Sequence, residues 1–102
     1  MNHNYHIYQI DKNKADVQGK MFEPWDMLVK YDGGFDINDY KKIYSGIINS
    51  NERYEVILDL LFEEFNLRHP ADFKGHSLSV SDLVSLDGIM YYCDSIGWKK
   101  VS

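Results

Sequence analysis

His69-Pro70-Ala71-Asp72-Phe73-Lys74-Gly75-His76-Ser77-Leu78-Ser79-Val80-Ser81-Asp82-Leu83-Val84 reads as one continuous instruction to turn the chain and then extend it. Pro70 has no amide hydrogen and its ring clashes with the preceding turn, so a helix arriving from upstream stops there. Gly75 opens backbone geometry that a Cβ forbids. Ser79 and Asp82 carry short polar side chains that bond to nearby main-chain groups, and Leu83 begins an extended run. The segment is expected to be a rigid elbow in which Pro70, Asp72, Gly75, His76, Ser79 and Asp82 are structural and the histidines satisfy backbone groups.

Upstream of the elbow, Ile57, Leu58, Leu61, Phe62 and Phe65 recur at helical spacing and predict a helix over Tyr54–Phe65. Asn49-Ser50-Asn51 offers capping side chains before it, and Asn66 can take the left-handed conformation that closes it. Downstream, Leu83–Leu86, Asp87-Gly88 and Ile89–Cys93 predict a hairpin on a type I′ turn, because Asp-Gly tolerates positive φ. A last strand, Trp98–Val101, follows the Ser95-Ile96-Gly97 turn. Near the amino terminus, Tyr5–Ile10 alternates as a strand, with Tyr5, Ile7 and Gln9 against His6, Tyr8 and Ile10. Asp11–Lys20 has no apolar period and is expected to be a loop. Phe22-Glu23-Pro24-Trp25-Asp26 starts a short helix with Pro24 in its first turn and Trp25, Leu28 and Val29 on one face; Gly33-Gly34 ends it. Tyr40–Ile48 reads as the second strand, with Gly46 marking a bulge. Together these elements predict one α+β domain over 1–102: a mostly antiparallel sheet of about four to five strands covered by one main helix, with the short helix at an edge.

Hydrophobic residues make up 44% of the 102 and aromatics 15%, enough apolar material to offset chain entropy. The net charge is −5 and the eleven Lys and Arg residues are scattered rather than striped, which disfavours direct binding to a phosphate backbone. No run approaches the ~20 apolar residues that span a bilayer, and Met1–His6 lacks the basic and apolar regions of a secretory signal. A cytoplasmic location is therefore expected, with no membrane partner. The lone Cys93 agrees, since it cannot form an internal disulfide.

Spacing limits what the chemistry-bearing residues can do. His69, Asp72, His76, Cys93 and Asp94 are donor types that zinc accepts, but a His-x6-His pair in a loop with one thiol lacks the paired close spacing of zinc motifs. Cys93 with His76 and Asp94 could form a nucleophile, base and orienting group, yet a strand cysteine with no helix start or basic cluster beside it is normally an inert small hydrophobe. Ser77, Ser79, Ser81 and Ser85 lie in no Gly-x-Ser-x-Gly motif and are expected to face solvent or close turns. Gly33-Gly34 is too short for a phosphate cradle, and the adjacent Glu63 and Glu64 diverge by ~100° on a helix. No catalytic residue, metal or cofactor is expected.

One surface feature stands out. Glu52, Glu55, Asp59 and Glu63 recur at spacings of three, four and four, putting like charges on one outer face of the main helix. Each pair costs an isolated helix ~0.2–0.5 kcal/mol, a sign that a basic partner would reverse. The ridge is a thin imitation of DNA, with one charge per ~5 Å of rise against one per ~3.4 Å along a single strand. Eight Tyr and two Trp add amphipathic contact area wherever they are exposed.

The elbow string, the Phe22–Asp26 start and the ending Tyr92-Cys93-Asp94-Ser95-Ile96-Gly97-Trp98 also carry a family likeness. The chain resembles the YodL-like family, small bacterial domains recurring in proteins of conjugative and other mobile elements, over nearly everything from Tyr5 to Val101. Trp25 stands where the family more often has Tyr, and Ile96 and Trp98 stand at two usual Phe positions. The resemblance implies a mobile-element or phage setting. Combined with the ridge, it leads to the expectation of a small acidic, non-enzymatic module that inhibits a host protein with a basic surface by occlusion, in its most specific form an antirestriction or anti-CRISPR protein. The alternatives are a modulator of a host housekeeping assembly such as the cytoskeleton or cell-division machinery, and a small enzyme using His76 or Cys93.

Overall fold

Tyr5 and Ile7 point to one side of the first strand and Tyr8 to the other, so the sheet built on it needs cover on both faces. The computed structural model, which describes residues 1–14 and 18–102, supplies that cover. Its elements are β1 (Asn2–Ile10), α1 (Trp25–Asp32), β2 (Tyr40–Asn49), α2 (Tyr54–Leu67), β3 (Leu83–Leu86), β4 (Ile89–Cys93) and β5 (Trp98–Lys100), with short 3-10 turns at Gln18–Lys20 and Ile37–Asp39. The strands form one antiparallel sheet in the order β2-β1-β3-β4-β5, confirming the α+β class. Within the expected Asp11–Lys20 loop, residues 15–17 lie outside the described residues.

On one face, Ile57, Leu58, Leu61 and Phe65 of α2 pack on Tyr5, Ile7, Val84 and Leu86. Full burial of a Leu, Ile or Phe side chain contributes ~1.5–3 kcal/mol, so this seam dominates stability. Phe62 is 39% exposed, which makes the buried stripe narrower than its spacing suggested. On the other face, Leu28 of α1 packs on Leu83 and Tyr92, flanked by Tyr8, Trp25 and Tyr40. The short helix therefore does not sit at an edge. Tyr8 pairs with Leu83 and Leu83 with Tyr92, which builds an apolar strip across the sheet that α1 must cover. Its Val29 points outward, 45% exposed, and Pro24 is the N-cap rather than a first-turn residue.

Gly46 is not the bulge. It lies opposite Tyr5, and a Cβ there would sit 2.6 Å from the Tyr5 hydroxyl, so the glycine makes room for a ring. The register slips instead at Ile43, because Ile7 pairs with Tyr44 while Tyr8 pairs with Lys42. That slip changes the phase of β2. Ile43 and Tyr44 both join the α2 side, whereas Tyr40 joins the α1 side.

The ends of α2 also differ from expectation. Its N-cap is Arg53 with no side-chain bond; Ser50 Oγ accepts from Glu52 N, and the Oδ1 atoms of Asn49 and Asn51 accept from the amino-terminal ammonium at 3.2 and 3.1 Å. Asn66 stays helical and donates to the Phe62 carbonyl at 2.7 Å. At the hairpin, φ is 51° at Asp87 and 85° at Gly88, as a type I′ turn requires. The Asp87 carboxylate also accepts from Asn4 N, the Tyr54 hydroxyl and His3 Nδ1 at 2.6 Å, and chiefly His3 holds it below the usual carboxylate range.

Candidate functional site

The elbow is anchored by two apolar pegs that sequence reading passed over. Phe73 and Leu78 are buried; Phe73 meets Phe65 edge-on at 4.8 Å and Tyr44 at 5.9 Å. The Pro70 carbonyl accepts from Phe73 N at 3.0 Å to close the turn, and Asp72 accepts from the Tyr44 hydroxyl at 3.2 Å. Gly75 is needed for closeness rather than for unusual backbone angles, since its φ is not positive and a Cβ would collide with the side chains of Ile43 and Gln9.

Gln9 ties the elbow to β1. Its Oε1 accepts from His76 N at 3.2 Å, and its Nε2 donates to the His76 carbonyl at 2.9 Å and to Asp82 Oδ2 at 3.0 Å. Asp82 Oδ2 also accepts from Ser79 N at 2.9 Å. Burial pushes the Asp82 carboxyl up to about 7, against the opposing pull of the bonds from Ser79 and Gln9. His76 Nε2 stands 4.0 Å from Asp82 Oδ1, while Nδ1 faces the Ser77 carbonyl at 2.7 Å. Ser79 contributes through its main chain only; among the described residues its buried hydroxyl has no partner. Gln9 was detectable in principle, because an amide in phase with Tyr5 and Ile7 faces the core and must find partners there.

Ser81 and Ser85 are buried; Ser81 sits in the turn that the bond from Asp82 N to the Ser79 carbonyl closes, as one of the two expected roles requires, whereas Ser85 lies inside β3 and neither faces solvent nor closes a turn. Ser81 N donates to the Cys93 carbonyl and Cys93 N to the Asp82 carbonyl, so two residues face one in a β-bulge with Ser81 at φ 84°. Phe22 N donates to Ser81 Oγ and the Tyr40 hydroxyl to the Ser81 carbonyl, which stabilises a conformation uncommon for a serine.

Glu52, Glu55, Asp59 and Glu63 are all exposed, as the ridge requires. They do not stand as a bare crest. Asp59 Oδ1 accepts from the Trp98 indole at 3.3 Å, Phe62 meets Trp98 edge-on at 6.4 Å, and Glu63 lies 3.9 Å from Arg68 in a solvated pair of little energetic weight. Burial and then the charge of Glu55 raise the Tyr91 phenol, which places Glu55 toward β4. Between α2 and β5 lies a recess of about 230 Å³ lined by Asp59, Phe62, Cys93, Asp94 and Trp98. Asp94 Oδ1 accepts from Trp25 N at 3.0 Å and Ser95 N at 2.8 Å, so it caps α1 from across the fold and locks the β4–β5 turn. At that turn Ile96 is 92% exposed.

The Cys93 thiol, 3% exposed, is pushed up to about 12 by burial and then by the carboxylates of Asp82, Asp94 and Asp59. That is the opposite of an activated thiolate. His76 is engaged by Gln9 and Ser77, and His69 lies against the Phe73 ring. Among the described residues, no group of three His, Cys, Asp or Glu side chains is placed to hold a metal ion, and no helix is long and apolar enough to cross a membrane.

The family model of the YodL-like domain matches residues 4–102. This chain belongs to that family. An uncharacterised protein (R785) of Acanthamoeba polyphaga mimivirus is 30% identical over 80 residues, covering 67% of this chain and 74% of the relative. No solved structure matches this YodL-like domain. The elbow, the α1 start and the β4–β5 turn that carry the family likeness meet in three dimensions, joined by the Phe22–Ser81 and Trp25–Asp94 bonds.

Proposed function

We propose that this YodL-like domain is a non-enzymatic cytoplasmic binding module that docks on a basic surface of a host protein through the flank formed by α2 and β5, and inhibits that protein by occlusion. The observation that carries the reading is the meeting of acid and apolar surface at Trp98. Its indole holds Asp59 at 3.3 Å while Phe62 is 39% and Ile96 92% exposed nearby. A charge ridge alone is ordinarily a solvated face; a tryptophan amid acids and bare apolar side chains has the make-up of an interface anchor. A basic partner would replace repulsion among Glu55, Asp59 and Glu63 with attraction and speed encounter.

The most specific form is an antirestriction or anti-CRISPR role for a bacterial mobile element or phage, because enzymes of those systems present basic surfaces to nucleic acid. The setting rests on the family resemblance. The raised thiol of Cys93 supports a role without covalent chemistry. The test is affinity capture from host lysate with wild-type protein and with a double variant, Asp59→Lys with Glu63→Lys. A captured protein with a basic surface, released by salt and lost with the double variant, is the expected result. Capture unchanged by both would sink the electrostatic docking model.

A further inference from the structure

At the same end of the sheet as the recess but toward its β2 edge, three segments far apart in sequence meet around a groove of about 220 Å³. Residues 9–13 arrive from the end of β1, Lys41 and Ile43 from the β2 bulge, and residues 74–76 from the elbow. Lys12, Lys41 and Lys74 stand on the rim, all exposed, against one lining carboxylate, Asp11. Asp11 Oδ1 already accepts from Asn13 N at 3.0 Å. Among the described residues, the lysine in an ion pair is Lys20, with Asp39. The groove thus gathers cations on a chain whose net charge is −5.

Its floor is partly apolar and held by hydrogen bonds. Ile10 and Ile43 are apolar, and the Gln9 amide donates to the His76 carbonyl and Asp82. Gly75 leaves no side chain in the way, and the bonds from Gln9 to both main-chain groups of His76 fix the backbone that carries Lys74.

We infer that this groove binds a compact phosphoryl dianion, with Lys12, Lys41 and Lys74 as its cationic contacts. Three like charges around one hollow repel until an anion enters. The volume is below the ~300–1,000 Å³ of pockets for drug-sized ligands, which favours a compact group. The lining has no arginine fork to pair a planar carboxylate, whereas lysines serve as point charges for phosphate, whose three oxygens and near-double charge suit three separate ammonium groups. The group can arrive as free phosphate or on a phosphorylated side chain of a partner.

The test titrates the isotopically labelled full chain with inorganic phosphate and with a phosphoserine peptide at constant ionic strength, following amide resonances. Saturable shifts at Gln9, Lys41, Gly75 and His76 are expected. Lys41→Ala and Lys74→Ala should each weaken binding about three- to fivefold, the effect of losing one exposed charge contact. The Lys41→Glu, Lys74→Glu double variant should abolish it with the melting temperature unchanged. Tighter binding of the peptide assigns the group to a partner, and tighter binding of phosphate assigns it to a free ligand. Unsaturable shifts, an equal response to chloride, equal affinity in the double variant, or preference for a DNA duplex would overturn the inference.

Discussion

The α2–β5 flank and the cationic groove are opposite in charge and opposite in construction. Three of the flank's four acids, Glu55, Asp59 and Glu63, come from one helix, and their spacing of four and four residues puts them together whatever the rest of the chain does, while Glu52 lies just before the helix. The groove has no local signature, because its lysines lie on the β1 exit, the β2 bulge and the elbow. A surface made by one helix survives much rearrangement of the fold, whereas one made by three segments exists only while all three keep register. The two regions share a support in Asp82, whose side chain holds Gln9 beneath the groove and whose carbonyl accepts from Cys93 N at the recess.

That shared support offers the largest perturbation. Burial pushes the Asp82 carboxyl up to about 7 from the ordinary 3.8, so the folded chain holds the extra proton between those values. Its contribution is complete below the unfolded pKa and is lost as pH rises through the folded one, with a decline of as much as ~4 kcal/mol. Urea midpoints measured from pH 4 to 8 should show that fall. Asp82→Asn, which keeps an acceptor for Ser79 and Gln9, should flatten it; an unchanged slope would show that another group is responsible.

Gly75→Ala should separate the two regions. Its Cβ meets Ile43 and Gln9, and overpacking of this kind costs roughly 2–3 kcal/mol. Lowered thermal stability with loss of the phosphate response, but retained partner capture, is the expected pattern. On the other side, Trp98→Ala should lower partner affinity by ~2 kcal/mol, as for an interface anchor, measured by calorimetry on the captured target. Phosphate titration of that variant should be unaltered. The smallest effect belongs to the ridge itself. Glu55→Gln with Glu63→Gln should raise stability by ~0.2–0.5 kcal/mol per relieved pair while slowing association with the partner, which stopped-flow kinetics would register.

What could be read from sequence follows the same division. The Tyr54–Phe65 periodicity, the Asp87-Gly88 turn and the end of α1 at Gly33 are local statements, and the structure keeps them; Gly33 has φ 77°. Apart from the caps of α2 and the place of Pro24, which are local, the misreadings concern distant partners. Gly46 and Gly75 are needed for the rings and side chains that press against them, and no window around either residue contains Tyr5 or Gln9. Asp94 caps Trp25 across 69 positions of sequence, so it resembled a loose metal ligand or an orienting group rather than a helix cap. The slip at Ile43 shows only when β2 is laid against β1. Of the candidate surface, the acids were legible and Trp98 with Ile96 was visible as apolar bulk, but their meeting with Asp59 and Phe62 depends on β5 lying beneath α2.

The ladder in which β1 pairs with β3 sets an order of events during translation. Tyr5 and Ile7 are made some eighty residues before Val84 and Leu86, which flank them in the finished seam. Until then a nascent chain holding β1, β2 and α2 presents a bare sheet edge along Tyr5–Tyr8, the kind of surface that chaperones bind and that neighbouring polysomal chains pair with. Truncation between the end of α2 at Leu67 and Leu83 would therefore leave a sticky half-sheet rather than a smaller version of the domain.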